Sequence, residues 1–241
     1  MSARLVAGTS GFAYADWKPR FYPDGLAQAK FLAHYASRLP GVEINYTFNR
    51  FPTGKLLDGW AAKTPEPFAF CLKTPKLITH QKRLRECAEP FASFTATSAG
   101  LGERLGPVLV QLPPTMPADT GLLREFLAGA TAGVRVAAEF RHASWDTDKT
   151  REVLHAAGAA WVAAESDDAA PTIHRTAPGF AYLRLRRNAY DDESMAGWSD
   201  RIAALLNDGC DVFCFLRHDA DGANALAAET LQARFAERQG K

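Results

Sequence analysis

With 241 residues, 47% of them hydrophobic, the chain is long enough to bury a substantial core, either as one large domain or as two small ones. Lysine and arginine number 28 against 27 aspartates and glutamates, so the net charge of +1 supplies no whole-chain field for a phosphate backbone, and a nucleic-acid partner would need a local basic patch. No run approaches the roughly eighteen apolar residues of a membrane helix, and the four cysteines, Cys71, Cys87, Cys210 and Cys214, form neither a C-x-x-C pair nor a secreted-scaffold framework. The N-terminal residues also lack the apolar core of a signal peptide, so the expected setting is the cytoplasm, with no membrane partner and with the thiols packed and reduced.

The first predicted strand, residues 5–7, runs into Gly8-Thr9-Ser10-Gly11-Phe12. That loop has neither the three-glycine dinucleotide pattern nor the Lys-Ser/Thr ending of a P-loop, so its glycines read as turn geometry. Phe12, Tyr14, Trp17, Phe21 and Tyr22, broken by Pro19 and Pro23, are too irregular for a helix and read as a packed loop over one end of the fold. Helical spacing covers 26–39 and ends at Pro40-Gly41. The second strand is expected over 42–48, with Ile44, Tyr46 and Phe48 on one face and Glu43, Asn45 and Thr47 on the other.

A short helix at 54–62 precedes the third strand, 68–73, which ends in Lys73, with Thr79-His80 in the following loop. A helix over 90–105 leads to the fourth strand, 107–112, stopped by Pro113-Pro114 with Gln111 near its end. After a helix at 120–130, Val134, Val136, Ala137 and Ala138 form the near-continuous apolar run of a strand covered on both faces. The run then turns polar: Glu139 and Arg141 share a face with Ala137, while Phe140 and His142 share the other. A helix at 147–157 is followed by a strand over 159–167 that moves from apolar residues to Glu165 and Asp167. Residues 168–178 contain two prolines and little helical spacing, so an irregular crossover is expected there. The seventh strand, 180–186, carries Tyr182, Arg184 and Arg186 on one face. Helix 193–207, an eighth strand at 212–218 and helix 223–238 complete the chain.

Eight strands, most separated by helix-length segments, predict an α/β fold: a single-domain, eight-stranded β/α barrel of the TIM type with an irregular crossover between the sixth and seventh strands. An open doubly wound sheet is disfavoured, because its edge strands should be more polar. In such a barrel the chemistry lies at the carboxyl ends of the strands. That rule collects Glu43 and Asn45, Lys73 and His80, Gln111, Glu139 and Arg141, Asp167, Arg184 and Arg186, and His218 with Asp219. The bland alternative is a barrel plugged by its own salt bridges, Glu43 with Lys73 and Glu139 with Arg184.

Glu43-Ile44-Asn45, Lys73, Thr79-His80, Gln111-Leu112-Pro113-Pro114 and Glu139-Phe140-Arg141-His142-x-x-Trp145, together with Gly8-Thr9-Ser10-Gly11-Phe12, Trp17 and Phe21-Tyr22-Pro23, resemble the domain-of-unknown-function family number 72 over nearly the whole chain. The resemblance implies a β/α barrel similar to those of sugar isomerases and apurinic-site endonucleases, and it implies no reaction. Two departures add positive charge or a titratable ring. Arg186-Arg187 stands where the family commonly has His-Gly, and Arg217-His218 where it commonly has paired asparagines.

Three functions compete. The first is an enzyme on a phosphorylated or otherwise anionic small substrate, with Glu43, Glu139 and His80 as acid/base candidates. Lys73, Arg141 and Arg184 would clamp the anion, and Asn45, Gln111, Asp167, Arg186 and His218 would complete the binding set. A second version places a divalent metal among Glu43, Glu139, Asp167 and a histidine; the neighbouring cations disfavour it, and no H-x-E or H-x-x-x-H signature is present. The third is a nucleic-acid or nucleotide binding module. It would use a basic rim of Lys76, Lys82, Arg83, Arg85, Arg186 and Arg187, with Phe12, Tyr14, Trp17, Trp145 and Tyr190 as stacking platforms.

Overall fold

The computed structural model describes residues 3–130, 133–165 and 170–239. Its strands are β1 (Leu5–Thr9), β2 (Gly41–Ile44), β3 (Ala69–Leu72), β4 (Val108–Gln111), β5 (Val136–Glu139), β6 (Ala160–Trp161), β7 (Ala163–Ala164), β8 (Phe180–Leu185) and β9 (Asp211–Leu216). The helices are α1 (Phe31–Ala36), α2 (Tyr46–Asn49), α3 (Gly54–Ala61), α4 (Ala88–Ser98), α5 (Thr120–Ala130), α6 (Asp148–Ala156), α7 (Asp192–Asn207) and α8 (Ala223–Gln239). Every strand pairing is parallel, as helical crossovers require.

Among the described residues the hydrogen-bonded ladder falls into three sheets, β1-β9-β8-β7, β2-β3 and β4-β5-β6, instead of running unbroken around the barrel. Single-residue parallel bridges link the first two at Ser10 and Glu43, and the last two at Lys73 and Leu109. The expected sixth strand is interrupted at Val162, so that β6 pairs with β5 and β7 with β8. One glycine contact explains how β1 and β2 come together: a Cβ on Gly8 would lie 2.0 Å from the Gly41 carbonyl oxygen. Gly8 is therefore a strand residue that permits close backbone approach, while Gly11, at φ +96°, makes the turn.

Two apolar layers result from the period-two pattern of the strands. The outer one packs the helices on the strands and includes Val42, Leu72, Val110, Ala138 and Leu183. The inner one fills the barrel with Val6, Ala69, Cys71, Leu109, Ala137, Tyr182, Phe213 and Phe215, small side chains facing large ones. All four cysteines are buried free thiols. No described helix is long and apolar enough to cross a membrane.

Several expected boundaries move. The second strand stops at Ile44, because Asn45 adopts helical dihedrals and opens α2, and the Thr47 hydroxyl donates to the Lys73 carbonyl at 2.6 Å. Tyr46 and Phe48 consequently leave the strand face they were expected to share. Helix 26–39 contracts to a 3-10 turn plus α1, and helix 90–105 breaks after α4 into a 3-10 segment containing Gly102 at φ +56°. His80 sits in a single π-helical turn, Leu77–Gln81, where a loop was expected. The aromatic segment near the N-terminus does pack over one end: Trp17 is fully buried, and its indole N–H donates to the Asp219 carbonyl at 3.1 Å.

Candidate functional site at the carboxyl ends of the strands

One step beyond the inner apolar layer, the same inward faces turn polar: Val6 is followed two residues apart by Gly8 and Ser10, Cys71 by Lys73, Leu109 by Gln111, Ala137 by Glu139, and Tyr182 by Arg184 and Arg186. Register sets neighbours: Gln111 lies opposite Glu139 across β4 and β5. Strand alternation thus brings together side chains far apart in sequence.

Arg184 is the centre of the layer. Its Nε and Nη2 donate to the two oxygens of Glu43, at 2.9 and 2.8 Å, a bidentate fork, and its Nη1 donates to Glu139. Glu43 also accepts from the Ser10 hydroxyl at 2.7 Å and the Tyr182 hydroxyl at 3.0 Å. Glu139 accepts from the Gln111 amide at 2.8 Å and from Arg141 Nε at 3.1 Å. Burial alone would raise both carboxyl pKa values, but the guanidinium groups outweigh it. Arg184 and Arg186 hold Glu43 down at about 2, and Arg184 and Arg141 lower Glu139. Both carboxylates are ionised at neutral pH.

The remaining cations are less well supplied. Lys73 Nζ donates to Gln111 Oε1 at 2.8 Å and lies 4.2 Å from the Phe48 ring centroid; burial, reinforced by Arg184, lowers its pKa to about 8. Arg186 Nη2 donates to the Ser10 hydroxyl at 2.8 Å and to the Phe215 carbonyl at 3.0 Å, but its buried Nε has no partner among the described residues. Burial and the proximity of Arg184 bring Arg186 down to about 10. Arg141 is about half exposed. Lys73, Arg141, Arg184 and Arg186 therefore face only Glu43 and Glu139, a surplus of two positive charges among the described residues.

His80 borders this group, edge-on to Phe48 with ring centroids 4.9 Å apart and with Nδ1 2.9 Å from the Thr79 hydroxyl. Burial, then Lys73 and Arg141, lower its pKa. His218, two residues past β9, stacks on Tyr14 at 4.8 Å and is likewise lowered, by burial and then Arg217 and Arg186. Asn45 is half-buried beside Glu43. Asp167 lies outside the described residues.

Of the two bridges that would plug the barrel, Glu139 with Arg184 is present, while Glu43 pairs with Arg184 instead of Lys73. The expected basic rim shrinks. Arg186 is drawn inward, and Arg187 makes an ion pair at 2.9 Å with the buried Glu165, which the Trp198 indole and Tyr190 hydroxyl also reach. Trp17 and Trp145 are core residues with no face to offer a base, and Tyr190 is tied to Glu165. No group of three or more metal-ligating side chains occurs among the described residues, and Arg184 occupies the space between the two glutamates. Sequence reasoning missed Ser10 as the hydroxyl joining Glu43 to Arg186, and Tyr182 as a donor to Glu43. The inward phase of Tyr182, two residues before Arg184, was the available signal.

A parallel β/α fold of TIM-barrel type with a charged layer at the strand ends defines the class. The particular family follows: the model of the "Protein of unknown function DUF72" family matches residues 6–241, and the chain belongs to that family. A DUF72 family protein from Thermotoga maritima is similar at 26% identity and TM-score 0.83, over 97% of this chain and 99% of that one. One from Enterococcus faecalis shares the fold at 18% identity and TM-score 0.78, over 98% and 95%. At TM-score 0.52 and 16% identity, 98% of the chain also overlays 45% of a protein described as a xylose isomerase-like TIM barrel/4-hydroxyphenylpyruvate dioxygenase fusion, a likeness of fold alone. The UPF0759 protein YecE of Escherichia coli is 32% identical over 112 residues, covering 46% of this chain and 41% of YecE. The matched stretch is thus less than half the length of that curated relative.

Proposed function

We propose that the protein is an enzyme that binds a small anionic substrate, phosphorylated or carboxylated, at the carboxyl ends of the strands. The observation that carries this reading is the surplus of cations over carboxylates among the described residues, with donors left over: a buried Arg186 Nε without a partner among those residues, a Lys73 whose charge is disfavoured by burial and by Arg184, and a half-exposed Arg141. Without a counter-anion, so many cations close together are costly, and a bound anion would relieve that cost.

In this proposal Glu43 and Glu139 are ionised clamps. Both are engaged by Arg184, and proton transfer at neutral pH falls to groups poised closer to it. His80, beside Lys73, is such a group: burial and the neighbouring cations lower it, which leaves the imidazole neutral and able to accept a proton. Lys73, Arg141 and Arg186 contact the anion, Arg184 supports them from below, and Asn45, Gln111 and His218 border the ligand.

Isothermal titration with inorganic phosphate at neutral pH tests the reading. Binding should be present in the native chain, weaken at least about tenfold in Lys73→Met and in Arg141→Met, and persist in the presence of competitor DNA. Absence of phosphate binding at millimolar concentration would remove the anion site. Displacement of phosphate by single-stranded DNA in a steeply salt-dependent manner would favour a nucleic-acid module instead.

A further inference from the structure

A cavity of about 360 Å³ opens beside the charged layer, walled by Phe12, Tyr14, Tyr46, Leu56 and Trp60, with Asn45 at its edge. Its wall continues into the cation layer through Tyr14. The Tyr14 hydroxyl donates to the Ser10 carbonyl at 2.9 Å, and the hydroxyl of the same serine receives Arg186 at 2.8 Å. Tyr14 is also close enough to Glu43 and Arg186 to feel both charges.

The cavity is built for a flat apolar group. Trp60 is braced by stacking on Phe70, with centroids 5.7 Å apart, and meets the Tyr46 ring edge-on at 6.5 Å. Tyr46 leaves 50% of its surface exposed, the most of any large hydrophobic side chain described. The Asn45 side chain has no hydrogen-bond partner among the described residues, so one amide is free to offer a donor and an acceptor at the cavity edge. Aromatic walls with a single amide suit a planar heterocycle, whereas an aliphatic sugar would leave most of its hydroxyls unpartnered.

We propose that this cavity holds the heteroaromatic ring of a ligand whose anionic group sits on Lys73, Arg141 and Arg186, the chemistry of a nucleoside monophosphate. This rests on the anion-binding reading above and narrows its substrate class.

The test is titration of the full chain with inorganic phosphate, ribose phosphate and adenosine monophosphate. The nucleotide should bind at least about tenfold more tightly than ribose phosphate, as base stacking supplies. Tyr46→Ala should remove most of that preference and leave ribose phosphate binding unchanged; Asn45→Ala should reduce it in part. Binding of phosphate and ribose phosphate with no gain for the nucleotide would overturn the ring site alone. So would a preference that survives both Tyr46→Ala and Trp60→Leu. Failure of all three ligands to bind would overturn the anion site together with the ring site.

Discussion

Glu43 shows how a single residue can be both predictable and surprising. Its inward phase was legible from strand alternation, but its partner was not, because which cation reaches a buried carboxylate depends on side-chain length and on where each strand ends. Arg184 reaches both glutamates with separate nitrogens, and Lys73 is left with an amide and an aromatic face. The carboxyl, held at about 2 against its ordinary 4.5, is depressed on folding. Its contribution to stability is therefore full above the unfolded value and lost as the pH falls from about 4.5 towards about 2, on the order of 3 kcal/mol. In Glu43→Gln that acid limb should flatten, and stability at neutral pH should fall by roughly 3 to 5 kcal/mol, because Arg184 loses its bidentate partner. Urea unfolding from neutral to acidic pH measures both. An acid limb identical to that of the native chain would show that Glu43 is not held ionised.

At the scale of elements, the order and type of most segments were readable and several of their ends were not. The strand 180–186 and the helices α3, α7 and α8 fall close to expectation, since apolar periodicity and turn residues bound them. The second strand was overextended because Tyr46 and Phe48 continue its alternation, yet the turn at Asn45 is fixed by a tertiary bond from Thr47 to the carbonyl of Lys73. No local pattern encodes that bond. It also moves Tyr46 onto the cavity wall and Phe48 between Lys73 and His80. In the glycine-rich opening Gly11 makes the expected turn, whereas Gly8 serves the approach of two strands. With its added methyl 2.0 Å from the Gly41 carbonyl oxygen, Gly8→Ala should force β1 and β2 apart and destabilise the chain by about 1 to 3 kcal/mol. Thermal unfolding followed by circular dichroism checks this, and an unchanged midpoint would mean that the strands do not meet as described.

For the whole molecule, the barrel divides along its axis into an apolar floor and a charged upper layer, and both come from one alternating face continued by two more residues on several strands. That division was visible in the sequence as strands that repeatedly change from apolar to ionisable at their carboxyl ends. The excess of positive charge in the upper layer was less visible. It depends on Arg186, which stands where the resemblance leads one to expect a histidine, and on Arg187 being withdrawn to Glu165. The layer is partly a plug, since Arg184 closes the centre with both glutamates, and in the proposed reading it is partly a receptor, formed by Lys73, Arg186 and Arg141. The most direct measurement of that surplus is a carbon-13 NMR titration of the lysine ε-carbons, with Lys73 assigned by Lys73→Arg, in the presence and absence of inorganic phosphate. A Lys73 that titrates near 8 in the free protein and moves upward when phosphate is added is the expected result, because an anion stabilises the ammonium form. A Lys73 that titrates at its ordinary 10.5 and is indifferent to phosphate would contradict the account.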